Sequence, residues 1–267
     1  MSYLSGRDPW MEHAKQVIFA DYGVNVSLEA KNKDLLKFGR NRDMETAVAT
    51  LMTLPNNIDN ETYVATNIIT TIVSDSASDT ESVVIEGHTV SGSDFTFVTQ
   101  TPTLNGTTPV LLVTGGSDLA RCSRIYNNGT SDLVGTISVC ETDTYTGTPG
   151  VPDTPAGVHC QIFAGKNQTE KASVTLDSTE YWVVTKIYCD MLTKLSSFAE
   201  IILEIRKFGK VFRQVATISC SASHPGLLEF QPYLIVSPNS DIRLRGVSDS
   251  ALGRDVSGGI HGALLKA

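Results

Sequence analysis

Phe198-Ala-Glu-Ile-Ile-Leu-Glu-Ile-Arg-Lys207, followed by Phe208-Gly209-Lys210 and then Val211 to Ser219, is the stretch on which the fold turns. By propensity its first ten residues suit a helix. The Gly-centred turn and the β-branched run behind it instead make a hairpin, so 198–207 is read as a strand. Downstream, Leu227 to Val236 is strand-like, with Pro232 expected at an edge or bulge. Pro238-Asn239-Ser240 turns the chain into Asp241 to Val247, where Ile242, Leu244 and Gly246 alternate with Arg243 and Arg245. Gly253 to Leu265 is a last, glycine-rich strand in which Gly258-Gly259 permits close backbone approach. Upstream, Tyr181 to Leu192, Ala172 to Leu176 and Val158 to Ala164 continue the series, and Trp182 has the surroundings of a core residue.

Earlier strands are expected over Tyr63–Val73, Ser82–His88, Phe95–Thr101, Pro109–Val113, Ala120–Tyr126 and Leu133–Cys140. They are cut by turn signals such as Asn105-Gly106 and Asn127-Asn128-Gly129. No helix of crossover length lies between them, which excludes a parallel sheet. The fold class is therefore mainly β: antiparallel β-sandwich or jelly-roll units with an N-terminal extended arm containing a short helix. Residues 1–58 form that arm. Its helix starts at Asp8-Pro9, runs with Trp10, Ala14, Val17 and Ile18 on one stripe, and stops at Gly23. Residues 24–58 are extended, with short pieces of strand or helix, and Leu35, Leu36 and Phe38 make a small apolar anchor. Residues 59–145 form a first β-rich domain and 146–267 a second, jelly-roll-like one. The aperiodic, Pro-, Gly- and Thr-rich 141–157 is the linker candidate, or a long loop.

At 267 residues, with 41% hydrophobic and 19% charged residues, the chain can bury a large core. Its formal charge of −8 gives nothing to counterion release on nucleic acid. The densest basic stretches, Lys31–Arg42 and Arg206–Arg213, read as solvated or interface faces. The five cysteines, at 122, 140, 160, 189 and 220, form no CxxC pair and read as buried free thiols. No signal peptide and no membrane-spanning apolar run is visible.

No chemistry is legible. The five histidines lack HxH or HxxxH spacing. There is no G-x-S-x-G elbow and no phosphate loop. Asp75 with Asp79, and Asp249 with Asp255, lie in turn-like segments and need no further role. No catalytic, cofactor-binding or metal-binding residue is assigned, and no cofactor is expected.

Several segments, in order and spacing, resemble a family of tailed-bacteriophage virion proteins common in phages of aquatic bacteria. They are Leu35-Leu36-Lys37-Phe38-Gly39-Arg40-Asn41; Asp79 through His88; Thr99-Gln100-Thr101 through Leu104-Asn105-Gly106; Leu119-Ala120-Arg121 with Arg124-Ile125-Tyr126-Asn127-Asn128; and Pro232 through Val236 with Asp241 through Arg245. The resemblance covers most of the chain from Leu35 onward. It implies a non-enzymatic structural protein of the particle. The favoured station is a capsid cement or decoration protein on the virion surface, assembled in the host cytoplasm. Its partners would be the major capsid protein and itself, as a homotrimer, with no nucleic acid and no membrane. Trp10, Val17, Ile18, Leu35, Leu36, Phe38 and Arg40 are the expected capsid contacts. The alternatives are a head fibre, tail fibre or head-tail adaptor, a glycan-binding module for host attachment, and a hydrolase with scattered catalytic groups.

Overall fold

The structure, a computed structural model, describes residues 29–51, 62–112, 118–192, 197–250 and 253–266. The expected Asp8–Gly23 helix lies outside these residues. In chain order the first strands are β1 (Glu29–Met44), β2 (Ala49–Thr50), β3 (Ile69–Ser74), β4 (Val83–Ser91), β5 (Asp94–Gln100), β6 (Val110–Leu111), β7 (Arg121–Asn127), β8 (Ile137–Glu141) and β9 (Val158–Ile162). Then come β10 (Ser173–Thr175), β11 (Glu180–Met191), β12 (Phe198–Lys207), β13 (Arg213–Ser221), β14 (Gly226–Val236), β15 (Ser240–Ser248) and β16 (Arg254–Lys266). The mainly β, antiparallel expectation holds.

β12 and β13 pair as the hairpin read from 198–219, with Phe198 opposite Ser221 and Ile205 opposite Arg213. Helical propensity loses because a strand lets Ala199, Ile201 and Leu203 bury completely on one face, which a tertiary core rewards more than local preference. Two sheets then close a sandwich, with strand orders β1-β16-β11-β14 and β10-β15-β12-β13. Count only these eight strands along the chain and the orders become first-eighth-third-sixth and second-seventh-fourth-fifth. That interleaving of two Greek keys is the jelly-roll topology. Between the sheets lie Trp182, Ile187, Ile201, Leu203, Leu244 and Ile260, all fully buried. Pro232 sits in β14, an edge strand, beside a slip of register between Val184 and Lys186 of β11.

Residues 29–44 were expected as part of an extended arm. They are instead a long strand of the sandwich, paired with β16 from Glu29–Lys266 to Met44–Arg254. The docking partner is the far end of the same chain, and it turns an arm into an integral edge.

The jelly roll is interrupted between its first and second strands. β2 and β10 lie on the same side of β15, opposite Gly246 and Arg245 and opposite Arg243 to Asp241 respectively. Leu51 N donates to Leu244 O, Leu244 N to Ala172 O, and Ala172 N to Leu51 O at 3.2 Å. The chain thus leaves at Leu51 and returns at Ala172 to the same point. Between them stands a smaller unit of two sheets, β6-β3-β8-β9 and β5-β4-β7, with its own core of Ile69, Ile72, Ile85, Ile125, Leu133 and Val139. Cys160 and Ile162 of β9 belong to that core. The 141–157 stretch is therefore a loop inside this unit, joining β8 to β9, and not a border after residue 145. Its carboxylates organise it: Asp153 accepts from Thr144 Oγ1 (2.7 Å) and Thr146 N (2.9 Å), and Asp143 from Thr154 N (2.7 Å). Gly150, at φ +75°, lies so close to Ser74 O that a Cβ would sit 1.8 Å away.

Candidate functional site

Two regions gather side chains whose placement the fold alone does not require: the seam between the units and the outer face of the β1-β16-β11-β14 sheet.

The seam is held by Asp241, near the start of β15 and fully buried. Arg121 of β7 meets it with two hydrogen bonds, Nε to Oδ1 at 2.9 Å and an Nη to Oδ2 at 3.1 Å. Arg206 Nε donates to Oδ2 at 2.9 Å, and Thr175 Oγ1 to Oδ1 at 2.7 Å. Burial works to raise the Asp241 carboxyl. The Arg121 bonds and charge, with Thr175 and Arg206, overcome that and hold it below the usual carboxylate range. Tyr63 and Phe212 stack edge to face, 5.0 Å between centroids, against Arg206 and Arg243. Two lysines also bind backbone carbonyls of the inserted unit, Lys37 from β1 of the jelly roll and Lys171 from the returning chain just before Ala172. Lys171 Nζ donates to the Cys122 and His159 carbonyls at 2.6 and 3.0 Å, and Lys37 Nζ to the Ser123 carbonyl at 3.3 Å. Burial lowers Lys37 to about 8, against the opposing charge of Glu86. His88, 2% exposed, is lowered by burial to about 4 and is neutral at pH 7.

The outer face follows from register, because directly opposed residues point the same way. One cross-strand row runs Leu36, His261, Lys186, Glu229, and the next runs Phe38, Gly259, Tyr188, Leu227. Leu36 is 56%, Phe38 38% and Leu227 61% exposed. Gly259 carries the Tyr188 phenol: a Cβ there would lie 2.5 Å from Oη. The result is an apolar row bordered by charge, on a sheet face that the sandwich itself does not cover.

The predicted contact residues are divided by this geometry. Leu36 and Phe38 share the outer face. Leu35 points the other way, half-buried against the jelly-roll core, because adjacent strand residues face opposite sides. Arg40 returns to the outer face but is engaged by Asp255, Nε to Oδ1 at 2.7 Å. Asp255 is thus an ion-pair partner and not only a turn residue. Trp10, Val17 and Ile18 lie outside the described residues. Trp182 is core, and all five cysteines are buried and unbridged. Asp79 caps the Val134 and Gly135 amides at 2.8 Å each, as a turn carboxylate should. Sequence reading passed over Asp241, Lys37 and His88. Among the described residues, no group of three or more His, Cys, Asp or Glu is placed to hold a metal ion.

These features define a jelly roll with an inserted β-sandwich, an architecture built around surfaces. No protein-family model and no curated protein matches the sequence. Among solved structures, the chain is similar to the structure of infectious bursal disease virus Gt strain, at 12% identity and TM-score 0.23, over 90% of this chain and 73% of that one. It is also similar to the infectious bursal virus derived T=1 particles, at 13% identity and TM-score 0.23, over 90% and 70%. Similarity of that size does not bear on function.

Proposed function

We propose that this chain is a non-enzymatic structural protein of a virus particle, a capsid cement or decoration protein. It binds the major capsid protein and its own copies, as a symmetric trimer, through the outer face of the β1-β16-β11-β14 sheet. The observation that carries this reading is the row of exposed Phe38 and Leu227 with half-buried Tyr188 between them and exposed Leu36 beside it. Large apolar side chains grouped on one solvent-facing sheet mark a contact surface. The segment resemblance supports the particle as its setting. Residues 1–28, with Trp10, Val17 and Ile18, add a tether to neighbouring subunits, so that weak contacts sum to firm attachment.

Labelling purified particles with an antibody to this chain tests the station. Cement predicts label over the whole shell, whereas a single labelled vertex would make it a fibre or adaptor. The double substitution Leu36→Ser with Leu227→Ser tests the surface. Stability should change by no more than about 0.5 kcal/mol per site, as at solvent-facing positions, while particle binding is lost. Full occupancy by the variant would remove this face from the proposal.

A second reading is favoured by the jelly-roll topology itself, which is frequent in viral shells: the chain is the shell subunit. Copy number relative to other particle proteins separates the two.

A further inference from the structure

The seam between the jelly roll and the inserted unit holds a half-open cavity of about 200 Å³. One wall is apolar: Leu35, Val174, Leu176 and Leu264 from the jelly roll, with Phe97, 41% exposed, at the rim. The opposite end is polar, with Lys37 and His88 beside Ser123 and Thr175. Most polar groups there are already engaged. The Thr175 hydroxyl is committed to Asp241, and Glu86 lies 3.9 Å from Arg124.

Two groups are not satisfied in this way. His88 is buried, and neither ring nitrogen has a hydrogen-bond partner in the protein. Phe95 and Phe97 meet its ring edge to face, at 6.2 and 5.5 Å, and supply no acceptor. Lys37 carries three donors, and the contact to Ser123 O at 3.3 Å is a long one. Buried polar atoms are nearly always paired, and unpaired ones in a cleft point to a ligand.

We infer that this cavity binds a small monocarboxylate with a short apolar body. Its carboxylate sits between the Lys37 ammonium and the His88 N–H, and its tail lies against Leu35, Val174, Leu176 and Leu264. A cavity of about 150 Å³ accommodates benzene, so this one takes a body of about eight non-hydrogen atoms. The charge pattern selects the class. An anion restores the ammonium of Lys37, which burial disfavours. Glu86, 3.9 Å from Arg124, and Glu180 are also on the lining and oppose any anion, so only a single carboxylate held directly by Lys37 and His88 is accommodated and a dicarboxylate is not. This inference does not depend on the capsid role.

The test uses the full chain at pH 7 with hexanoate as probe, and hexylamine, hexanol and adipate as comparators of similar size. Hexanoate alone should raise the melting temperature in a dose-dependent way and give saturable heat in calorimetric titration. Lys37→Met should weaken binding by at least about tenfold. A measurement on the unmodified protein stands beside the variant, in case removal of Lys37 loosens the seam. Binding at pH 8 should take up protons, seen as a dependence of the heat on the buffer's ionisation enthalpy, because the bound anion raises Lys37. A missing thermal shift, an equal shift from hexylamine or hexanol, or binding without proton uptake would each overturn the assignment.

Discussion

Asp241 illustrates what one residue does in this molecule. Its sequence neighbourhood, Asp241-Ile-Arg-Leu-Arg, shows only the alternation of a strand, and that much was legible: Ile242 and Leu244 are fully buried. The partner that gives Asp241 its role, Arg121, lies 120 positions away on the other unit. No local pattern encodes that meeting. Asp241→Asn would leave the Arg121 guanidinium buried without its counter-charge, and breaking such a pair costs about 3–5 kcal/mol. Chemical denaturation should show that loss, with Thr175→Val, which removes only a hydroxyl bond to the same carboxylate, losing about 1 kcal/mol. The same seam sets the acid limit of the fold. His88 has a folded value of about 4 against an ordinary 6.5, so the unfolded chain binds its proton first. Its neutral burial therefore contributes full stability above pH 6.5, and that contribution falls away as pH drops from 6.5 to 4. A shift of this size corresponds to about 3 kcal/mol over the window. Asp241, held below its ordinary value, contributes above the unfolded carboxylate range and loses that contribution only at lower pH. Stability measured from pH 7 to 4.5 should decline, and His88→Leu should flatten the decline. An unchanged slope in that variant would mean His88 is not the group responsible.

At the scale of the element, β1 is where local reading and structure part. Its period-two pattern is inverted: the apolar Leu36 and Phe38 face out, while Lys37, 7% exposed, faces in. A sequence rule that sends apolar residues to the core finds no consistent face there, so an arm is the natural reading. The strand exists because β16 offers a long edge, and because Gly258 and Gly259 let neighbouring backbone and the Tyr188 ring approach. That glycine function was readable from the sequence, whereas the partner was not. Removing residues 1–45 should therefore destroy more than an attachment device. It strips the first strand and Met44, a fully buried core residue, and leaves β16 as a bare edge. Loss of a cooperative thermal transition, or insolubility, is the expected outcome, while a deletion ending at residue 28 keeps β1 through β16 and should melt cooperatively. A soluble, cooperatively melting 46–267 fragment would show that β1 is dispensable to the sandwich.

At the scale of the whole molecule, the chain is one jelly roll opened at a single point. The strand count and turns made a sandwich legible, and two β-rich parts as well. The order of assembly was hidden, because the first strand of the jelly roll precedes the inserted unit and the other seven follow it. Pro, Gly and Thr at 141–157 mimic a linker, yet the true junction consists of Leu51 and Ala172, two ordinary apolar residues joined by a 3.2 Å hydrogen bond. Each unit has its own buried cluster, and the seam between them mixes ion pairs, lysine–carbonyl bonds and cation–π contacts with a few apolar ones, such as Phe95 on Phe208, rather than forming a continuous core. Contacts of this kind order two units without making either core depend on the other. Replacing residues 52–171 with a short Gly-Ser turn between Leu51 and Ala172 should then leave a jelly roll that folds by itself. The chain ends are already adjacent, so closing the gap adds little loop entropy. Arg121, Lys171 and His88 leave with the insertion, and Asp241 keeps Arg206 and Thr175; Lys37 loses Ser123 O and Glu86 but also the unit that covers it, so its ammonium is returned to water. Far-UV circular dichroism should show β structure with one cooperative melt. The acid limb between pH 6.5 and 4 and the hexanoate response should both disappear, since each belongs to the seam. If the excised protein is unfolded at neutral pH, the inserted unit is part of the jelly roll's own stability and the two cores form one cooperative body.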